Sequence, residues 1–374
     1  MTMTPSGLLL LRFRNLCIFA GKNRMYRYVI RPILFLLSPE SIHHLLITVL
    51  KILFSLPGIR LLVKSCYHLN NQALETYFLG LRFSNPVGLA AGFDKNAEVY
   101  RDFHAFGFSF IEVGTITPLG QPGNDRPRSF RIKKDKGLIN RMGFNNHGAE
   151  AAAAKLARRR PSGLILGGNL GKNTQTPNER AVDDYEAVFE AIYDGVDYFV
   201  VNVSCPNISD LRKLQDQDSL EKILGRLLEL RQGKEIRKPL LLKISPDLNQ
   251  QQLDETLEIV SRLKLDGIVA TNTTIRREGL NTPAKEIEAI GKGGMSGAPI
   301  TARSLEVVQY IHQKTGGMLP IIAVGGIMNV QDALNMLDAG ATLIQIYTGF
   351  IYEGPGLARR INRAILKRRI QNKS

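Results

Sequence analysis

From residue 80 onward the chain repeats one pattern eight times: a short β-branched apolar run, a polar or glycine-rich end, then a stretch of helical period. The runs are Val87–Ala91, Phe110–Val113, Leu164–Leu170, Tyr198–Val203, Leu240–Ile244, Gly267–Ala270, Pro320–Val324 and Leu343–Ile346. Each is short and β-branched and reads as a buried strand. Helical patterns lie between them, at Asn96–Ala105, Glu179–Tyr193, Gln250–Leu263 and Val330–Ala339. Eight β/α units in about 280 residues predict a (β/α)8 barrel. A doubly wound sheet is the alternative, but it rarely needs eight parallel strands in sequence. No GxGxxG follows the first strand, which removes the main dinucleotide signal. One segment breaks the alternation. Arg128–Ile132 and Gly137–Phe144 flank Lys133-Lys134-Asp135-Lys136 and read as a hairpin standing over the barrel mouth.

In such a barrel the site lies at the C-terminal ends of the strands. Those ends carry Asp94 and Lys95, Thr115, Asn169 and Lys172, Asn202 to Asn207, Lys243, Thr271-Asn272-Thr273, Gly325-Gly326 and Tyr347-Thr348. Amides, hydroxyls and lysines dominate this ring. Asp94 and Glu112 are the carboxylates nearby, too few for a divalent metal site. The ring suits a polar, planar ligand held by hydrogen bonds, and the ends of strands 7 and 8 occupy the usual phosphate site of these barrels. Each member has a plainer reading: a tight turn for Gly325-Gly326, a helix cap for Thr271–Thr273, a solvated side chain for Lys243. Decoration of all eight ends together favours a site.

The fourth end, Asn202-Val-Ser-Cys-Pro-Asn207, delivers amides, a hydroxyl and a thiol where Pro206 stops a buried strand. A strand-to-loop turn with a small core cysteine fits the same residues, since free cysteine is often a buried hydrophobe. The three cysteines, Cys17, Cys66 and Cys205, have no CxxC spacing. A zinc or iron–sulfur site is therefore not expected, and a reducing compartment is.

The formal net charge of +15 favours an anionic contact, nucleic acid or a lipid surface. No acidic residue precedes Glu40, whereas Arg12, Arg14, Lys22, Arg24, Arg27 and Arg31 do. Residues 1–24 read as a targeting segment or as the product of an upstream start, with Met25 the functional one. Two helical segments follow. The first spans about Tyr26 to Leu37. The second has Ser38 as N-cap and Pro39 as its first residue, and ends near Pro57-Gly58. Lys51 keeps the apolar run below the ~20 residues needed to span a bilayer. The pair reads as an amphipathic hairpin lying in a membrane interface, because its apolar side chains and basic flanks exceed what one docking face needs; the alternative is that both apolar faces pack on the next domain.

These motifs together resemble the dihydroorotate dehydrogenases, most closely the membrane-associated, quinone-using class 2. The likeness runs from about Met25 to about Pro355. It is carried by Ala90-Ala-Gly-Phe-Asp-Lys95, Glu112-Val-Gly-Thr-Ile-Thr-Pro118, Gln121-Pro-Gly-Asn124, Asn140-Arg-Met-Gly-Phe-Asn-Asn146 and Gly171-Lys-Asn173. It continues in Asn202–Asn207, Lys243-Ile-Ser-Pro-Asp247, Ala270-Thr-Asn-Thr-Thr274, Gly293-Gly-Met-Ser-Gly297, Val324-Gly-Gly-Ile327 and Gln345-Ile-Tyr-Thr-Gly-Phe350. The resemblance implies three parts: a basic extension (1–24) outside the functional chain, a helical membrane and quinone-access domain (25–80), and an FMN-binding barrel (81–374).

The resemblance also implies oxidation of dihydroorotate to orotate in pyrimidine synthesis, with FMN as cofactor and a membrane quinone as acceptor. By matching positions, FMN would contact Ala91, Gly92, Phe93, Asp94, Lys95, Thr115, Asn169, Asn202, Lys243, Thr271, Gly297, Gly326, Tyr347 and Thr348. Substrate would contact Lys95, Asn140, Arg141, Met142, Gly143, Phe144, Asn202, Asn207, Asn272 and Thr273. Cys205 would be the catalytic base, at a position where class 2 members usually place serine. No metal, nucleic acid or iron–sulfur partner subunit is implied. The expected location is the cytoplasmic face of a bacterial inner membrane. Two rivals remain at this point: a dihydrouridine synthase-like FMN barrel acting on RNA, and a basic scaffold without enzymatic activity.

Overall fold

The computed structural model describes residues 23–204 and 217–372. The expectations placed on Cys205, Asn207 and residues 1–22 fall outside them. Eight parallel strands close a barrel in sequence order: β1 (Val87–Leu89), β2 (Phe110–Ile116), β3 (Ile165–Leu170), β4 (Tyr198–Asn202), β5 (Leu240–Ile244), β6 (Gly267–Ala270), β7 (Ile321–Val324) and β8 (Leu343–Ile346). β8 closes onto β1 with Gln345 opposite Gly88. All eight runs read from the sequence are strands, with β1 stopping sooner and β2 running on to Ile116.

Alternate residues of each strand share a face, so every strand sends one set of side chains into the barrel. The lower interior is apolar, built from Phe110, Tyr198, Val200, Leu241, Val269 and Leu343. Gly88 and Gly167 make room for its rings: a Cβ there would lie 2.4 Å from the Phe110 ring and 2.3 Å from the Tyr198 ring. An antiparallel hairpin, Thr76–Phe78 with Leu81–Phe83, plugs the base, and Phe83 stands edge-on to Phe110 at 5.2 Å. Residue 80, the expected boundary, is in the turn of this hairpin.

Three of the four expected helices form, as Ala181–Ile192, Gln250–Arg262 and Val330–Asp338. The last two start with capping boxes, Asn249 with Gln252 and Asn329 with Asp332. The fourth, expected over Asn96–Ala105, shrinks to Tyr100–Phe103 and a 3₁₀ turn, His104–Phe106. The Asp94 carboxylate accepts the backbone N–H groups of Glu98 and Val99, each at 2.8 Å, and this local bonding competes with helix. The inserted hairpin is Ser129–Ile132 with Gly137–Asn140, widened by a third strand, Gly294–Gly297.

At the N-terminus, Tyr26–Leu34 and α1 (Pro39–Ser55) meet at 109°. α1 starts at Ser38, whose side chain accepts Ser41 N–H, with Pro39 in the first turn. The turn before Ser38 ends the first segment ahead of Leu37. A third helix, α2 (Ile59–Tyr67), was not expected. No single described helix is long and apolar enough to cross a membrane; the bent pair together meets the length and composition. Twelve of the eighteen exposed large apolar side chains among the described residues fall between Tyr28 and Leu61.

Ionic and polar ties hold this segment to the barrel. Tyr26 hydroxyl donates to Ile351 carbonyl at 2.6 Å, Arg31 donates to Tyr352 carbonyl at 3.0 Å, and Arg27 pairs with Glu353 at 3.3 Å. Lys51 pairs with Glu98, Arg60 with Asp102 at 2.6 Å, and Glu40 with Arg128 at 2.7 Å.

Candidate active site

The polar ends of the strands converge on one cavity of about 590 Å³, within the range of small-molecule sites. Its floor is Thr115, Asn202, Lys243 and Thr271. Ala91, Gly92, Asn272, Thr273, Gly297, Gly326, Tyr347 and Thr348 form the walls. Lys95, Asn140, Met142, Gly143, Phe144 and Asn145 line its edge near the inserted hairpin. The cavity then continues between the helices, where Leu34, Phe35, Ile42, His43, Leu46, Ile47 and Leu50 line it. One continuous space thus joins a polar chamber to an apolar channel.

The floor is wired together. Thr115 hydroxyl donates to Asn169 Oδ1 at 2.5 Å, and Asn202 Nδ2 donates to the same oxygen at 3.2 Å. Asn272 Nδ2 donates to Asn202 Oδ1 at 3.1 Å and to Ser204 Oγ at 3.0 Å. Ser204 hydroxyl in turn donates to the Lys243 carbonyl at 3.0 Å. Lys243 Nζ lies 3.6 Å from Glu112 Oε1, and both are buried. Lys95 Nζ donates to Asn145 Oδ1.

Two expected contacts point elsewhere. Asn169 is fully buried beneath the floor and does not line the cavity. The Arg141 guanidinium turns outward, donating to the carbonyls of Ile290, Lys292 and Pro127 and stacking 4.7 Å from the Phe130 ring. Asp94 reaches the lining, but its carboxylate caps the turn that follows. Burial pushes that carboxyl up to about 6, against the pull of the N–H groups of Glu98, Val99 and Tyr100. Phe93 faces the seam with the helices. It meets Tyr347 at 5.2 Å, Phe103 at 5.0 Å and His43 at 5.3 Å, all edge-on. Burial, then the Lys95 charge, holds His43 down to about 4, so the imidazole is neutral at neutral pH.

The donor set suits a phosphorylated planar ring. Gly297 and Gly326 line the cavity, and close packing against the backbone behind them admits no side chain: an added Cβ would come 2.4 Å from Lys136 O and 2.3 Å from Thr301 Cα. Thr348 and Ser296 hydroxyls face each other at 2.9 Å beside them. Lys243 supplies positive charge on the floor. Glu112 and Gln345 organise this site although the strand-end reading gave them no role. Their signal was a polar residue at an inward position of an otherwise apolar strand, Glu112 in β2 and Gln345 in β8.

The sequence profile of the family described as dihydroorotate dehydrogenase matches residues 73–368. The chain belongs to that family. The family is flavin-dependent, and the match decides among the barrels weighed from the sequence. A dihydroorotate dehydrogenase (quinone) of Christiangramia forsetii is 49% identical over 344 residues, covering 92% of this chain and 99% of the relative. That of Thermosynechococcus vestitus is 46% identical over 357 residues, covering 91% and 96%. Among solved structures, ligand-free DHODH from Eimeria tenella superposes with a TM-score of 0.80 at 36% identity, covering 90% of this chain and 96% of that one. The same protein in complex with ferulenol gives 0.79.

Proposed function

We propose that this chain, a quinone-dependent dihydroorotate dehydrogenase of pyrimidine synthesis, oxidises dihydroorotate to orotate in the polar chamber and reduces a membrane quinone through the apolar channel. The observation that carries this reading is the continuity of the two: Lys243 and Asn272 line one end of the same cavity that Ile42, Leu46 and Leu50 line at the other.

Flavin mononucleotide would be held by Ala91, Gly92, Thr115, Asn202, Lys243 and Thr271, with its phosphate at Gly297, Gly326, Tyr347 and Thr348. When bound, it would supply the two-electron redox chemistry that links oxidation of dihydroorotate to reduction of the quinone. Lys95, Asn140, Asn207, Asn272 and Thr273 hold the substrate carboxylate and ring amides. Cys205 removes the C5 proton as thiolate, a general base. Ser204, whose hydroxyl could compete for this role one residue away, is fully buried with that hydroxyl engaged by Lys243 and Asn272, which favours Cys205. The exposed apolar side chains between Tyr28 and Leu61 rest the helices in the membrane surface, at the cytoplasmic face of the inner membrane.

An anaerobic absorbance spectrum tests the reading. The purified protein should show a flavin band that dihydroorotate bleaches and a long-chain quinone restores. A colourless protein, or a band that dihydroorotate leaves intact, would sink it.

A further inference from the structure

Glu112 is fully buried in the barrel, beneath the cavity floor. Its two carboxylate oxygens accept different amides: Asn169 Nδ2 donates to Oε1 at 2.7 Å and Gln345 Nε2 to Oε2 at 2.7 Å. Lys243 Nζ stands 3.6 Å from Oε1. An ionised carboxylate only accepts. Asn169 must therefore turn its NH₂ toward Glu112 and its oxygen away, toward Thr115 and Asn202. The same sense repeats outward. Asn202 gives its NH₂ to Asn169 and offers its oxygen to Asn272, whose own oxygen accepts Thr273 N–H at 2.8 Å. Three amides run head to tail from the cavity wall inward, every NH₂ on the Glu112 side. The two ends of an asparagine amide are nearly equal in size, so packing does not choose between orientations; Thr273 N–H and Ser204 hold Asn272, and the Glu112 carboxylate holds Asn169 at the inner end of the row.

We infer that Glu112 is a positioning residue, whose buried carboxylate fixes the hydrogen-bond polarity of Asn169 and, through it, of Asn202, and so keeps the cavity-lining Asn202 oxygen turned toward Asn272. The inference rests on reading the chamber as the dihydroorotate site. It assigns Glu112 no contact with any reacting atom.

The probe is orotate, titrated into the flavin-loaded protein and followed by flavin absorbance. In Glu112→Gln the new amide both donates and accepts, so Asn169 is free to turn. Orotate affinity should fall roughly tenfold to a hundredfold, the effect of a buried polar group left facing its like. Loss of the negative charge beside Lys243 should also make the flavin easier to reduce. A tenfold change in the oxidised-to-reduced ratio moves its midpoint by about 30 mV. The double variant Glu112→Gln, Asn169→Asp restores a donor facing an acceptor, and again turns an acceptor toward Thr115 and Asn202. It should recover orotate affinity, a rescue that a purely space-filling role would not produce.

Unchanged orotate binding in Glu112→Gln would overturn the inference, whatever the midpoint potential does, because the potential reads the charge beside Lys243 and not the amide row. So would a double variant that binds orotate no better than the single one. If Glu112→Gln does not accumulate folded, the double variant decides: folded with near wild-type orotate affinity supports the inference, and weak binding or failure to fold overturns it. A wild-type protein that binds neither flavin nor orotate would overturn the functional reading instead, before any variant is made.

Discussion

Arg128→Met tests whether the N-terminal helices are a fixed wall of the cavity. Arg128 is 6% exposed. Its guanidinium donates to Glu40 at 2.7 and 3.2 Å and to the carbonyls of Pro122 and Asn124 at 2.6 and 2.7 Å. Burial alone would raise the Glu40 carboxyl, but the hydrogen bond and charge of Arg128, then Arg126 and His44, hold it below the usual range. Methionine keeps an apolar stem and removes the charge and donors. Breaking a buried pair from one side costs about 3–5 kcal/mol. Arg126 at 3.1 Å and His44 at 3.6 Å still face Glu40, so the lower end, about 3 kcal/mol, applies. At about 1.4 kcal/mol per factor of ten, the undocked state becomes on the order of a hundredfold more populated. Native-state proteolysis within α1 and α2 reads this population when opening is fast relative to cleavage. Cleavage should accelerate about as much, and long-chain quinone reduction should fall while dihydroorotate still bleaches the flavin. Cleavage at the wild-type rate would refute the reasoning.

Other expectations concern the chamber and the seam. Cys205→Ala should lose roughly 10²–10⁴-fold in the rate of flavin bleaching, and Cys205→Ser should retain activity at higher pH because a hydroxyl is harder to deprotonate. Ser204→Ala should weaken substrate affinity through Asn272 more than it slows bleaching; a dead serine variant beside an active cysteine variant in stopped flow would reverse the assignment. Lys243→Ala leaves Glu112 buried without its cation, so flavin retention on gel filtration should drop and bleaching should slow; unchanged occupancy and rate would exclude the role. Burial lowers His43 to about 4 and His104 to about 3, and it lowers His68 as well. Their unfolded values lie near ~6.5, so their contribution is fully present above that pH and is lost as pH falls toward the folded values. All three line the seam, so melting temperature should decline from pH 6.5 downward, and His43→Gln should flatten part of that decline; a flat profile in the wild type would exclude it.

The barrel was legible because a strand covered on both faces needs a contiguous β-branched run, and eight such runs survive without context. The decorated ends followed from the fold. Contacts set by distant partners were not legible. Gly294–Gly297 carries no strand signal, and pairing with Gly137–Asn140 makes it one. α2 alternates apolar residues with Arg60, Lys64 and Ser65, and its docking depends on distant partners: Arg60 pairs with Asp102 at 2.6 Å and Tyr67 meets Phe106 at 5.4 Å. Arg141 sits inside a site motif, yet three carbonyls outside the cavity claim its guanidinium. Glu112 was visible as a carboxylate among apolar neighbours, but the lysine and amides around it come from β3, β5 and β8. Only closure of the barrel brings those strands together.

The ties at Tyr26, Arg27 and Arg31 join positions that are 325, 326 and 321 residues apart. A ribosome adding ~5–20 residues per second needs roughly 15 to 65 seconds to make the second half of each tie. For that interval the apolar helices exist without Ile351, Tyr352 or Glu353 to hold them. Birth order therefore leaves this helix pair to wait, through most of synthesis, for the barrel that it will close.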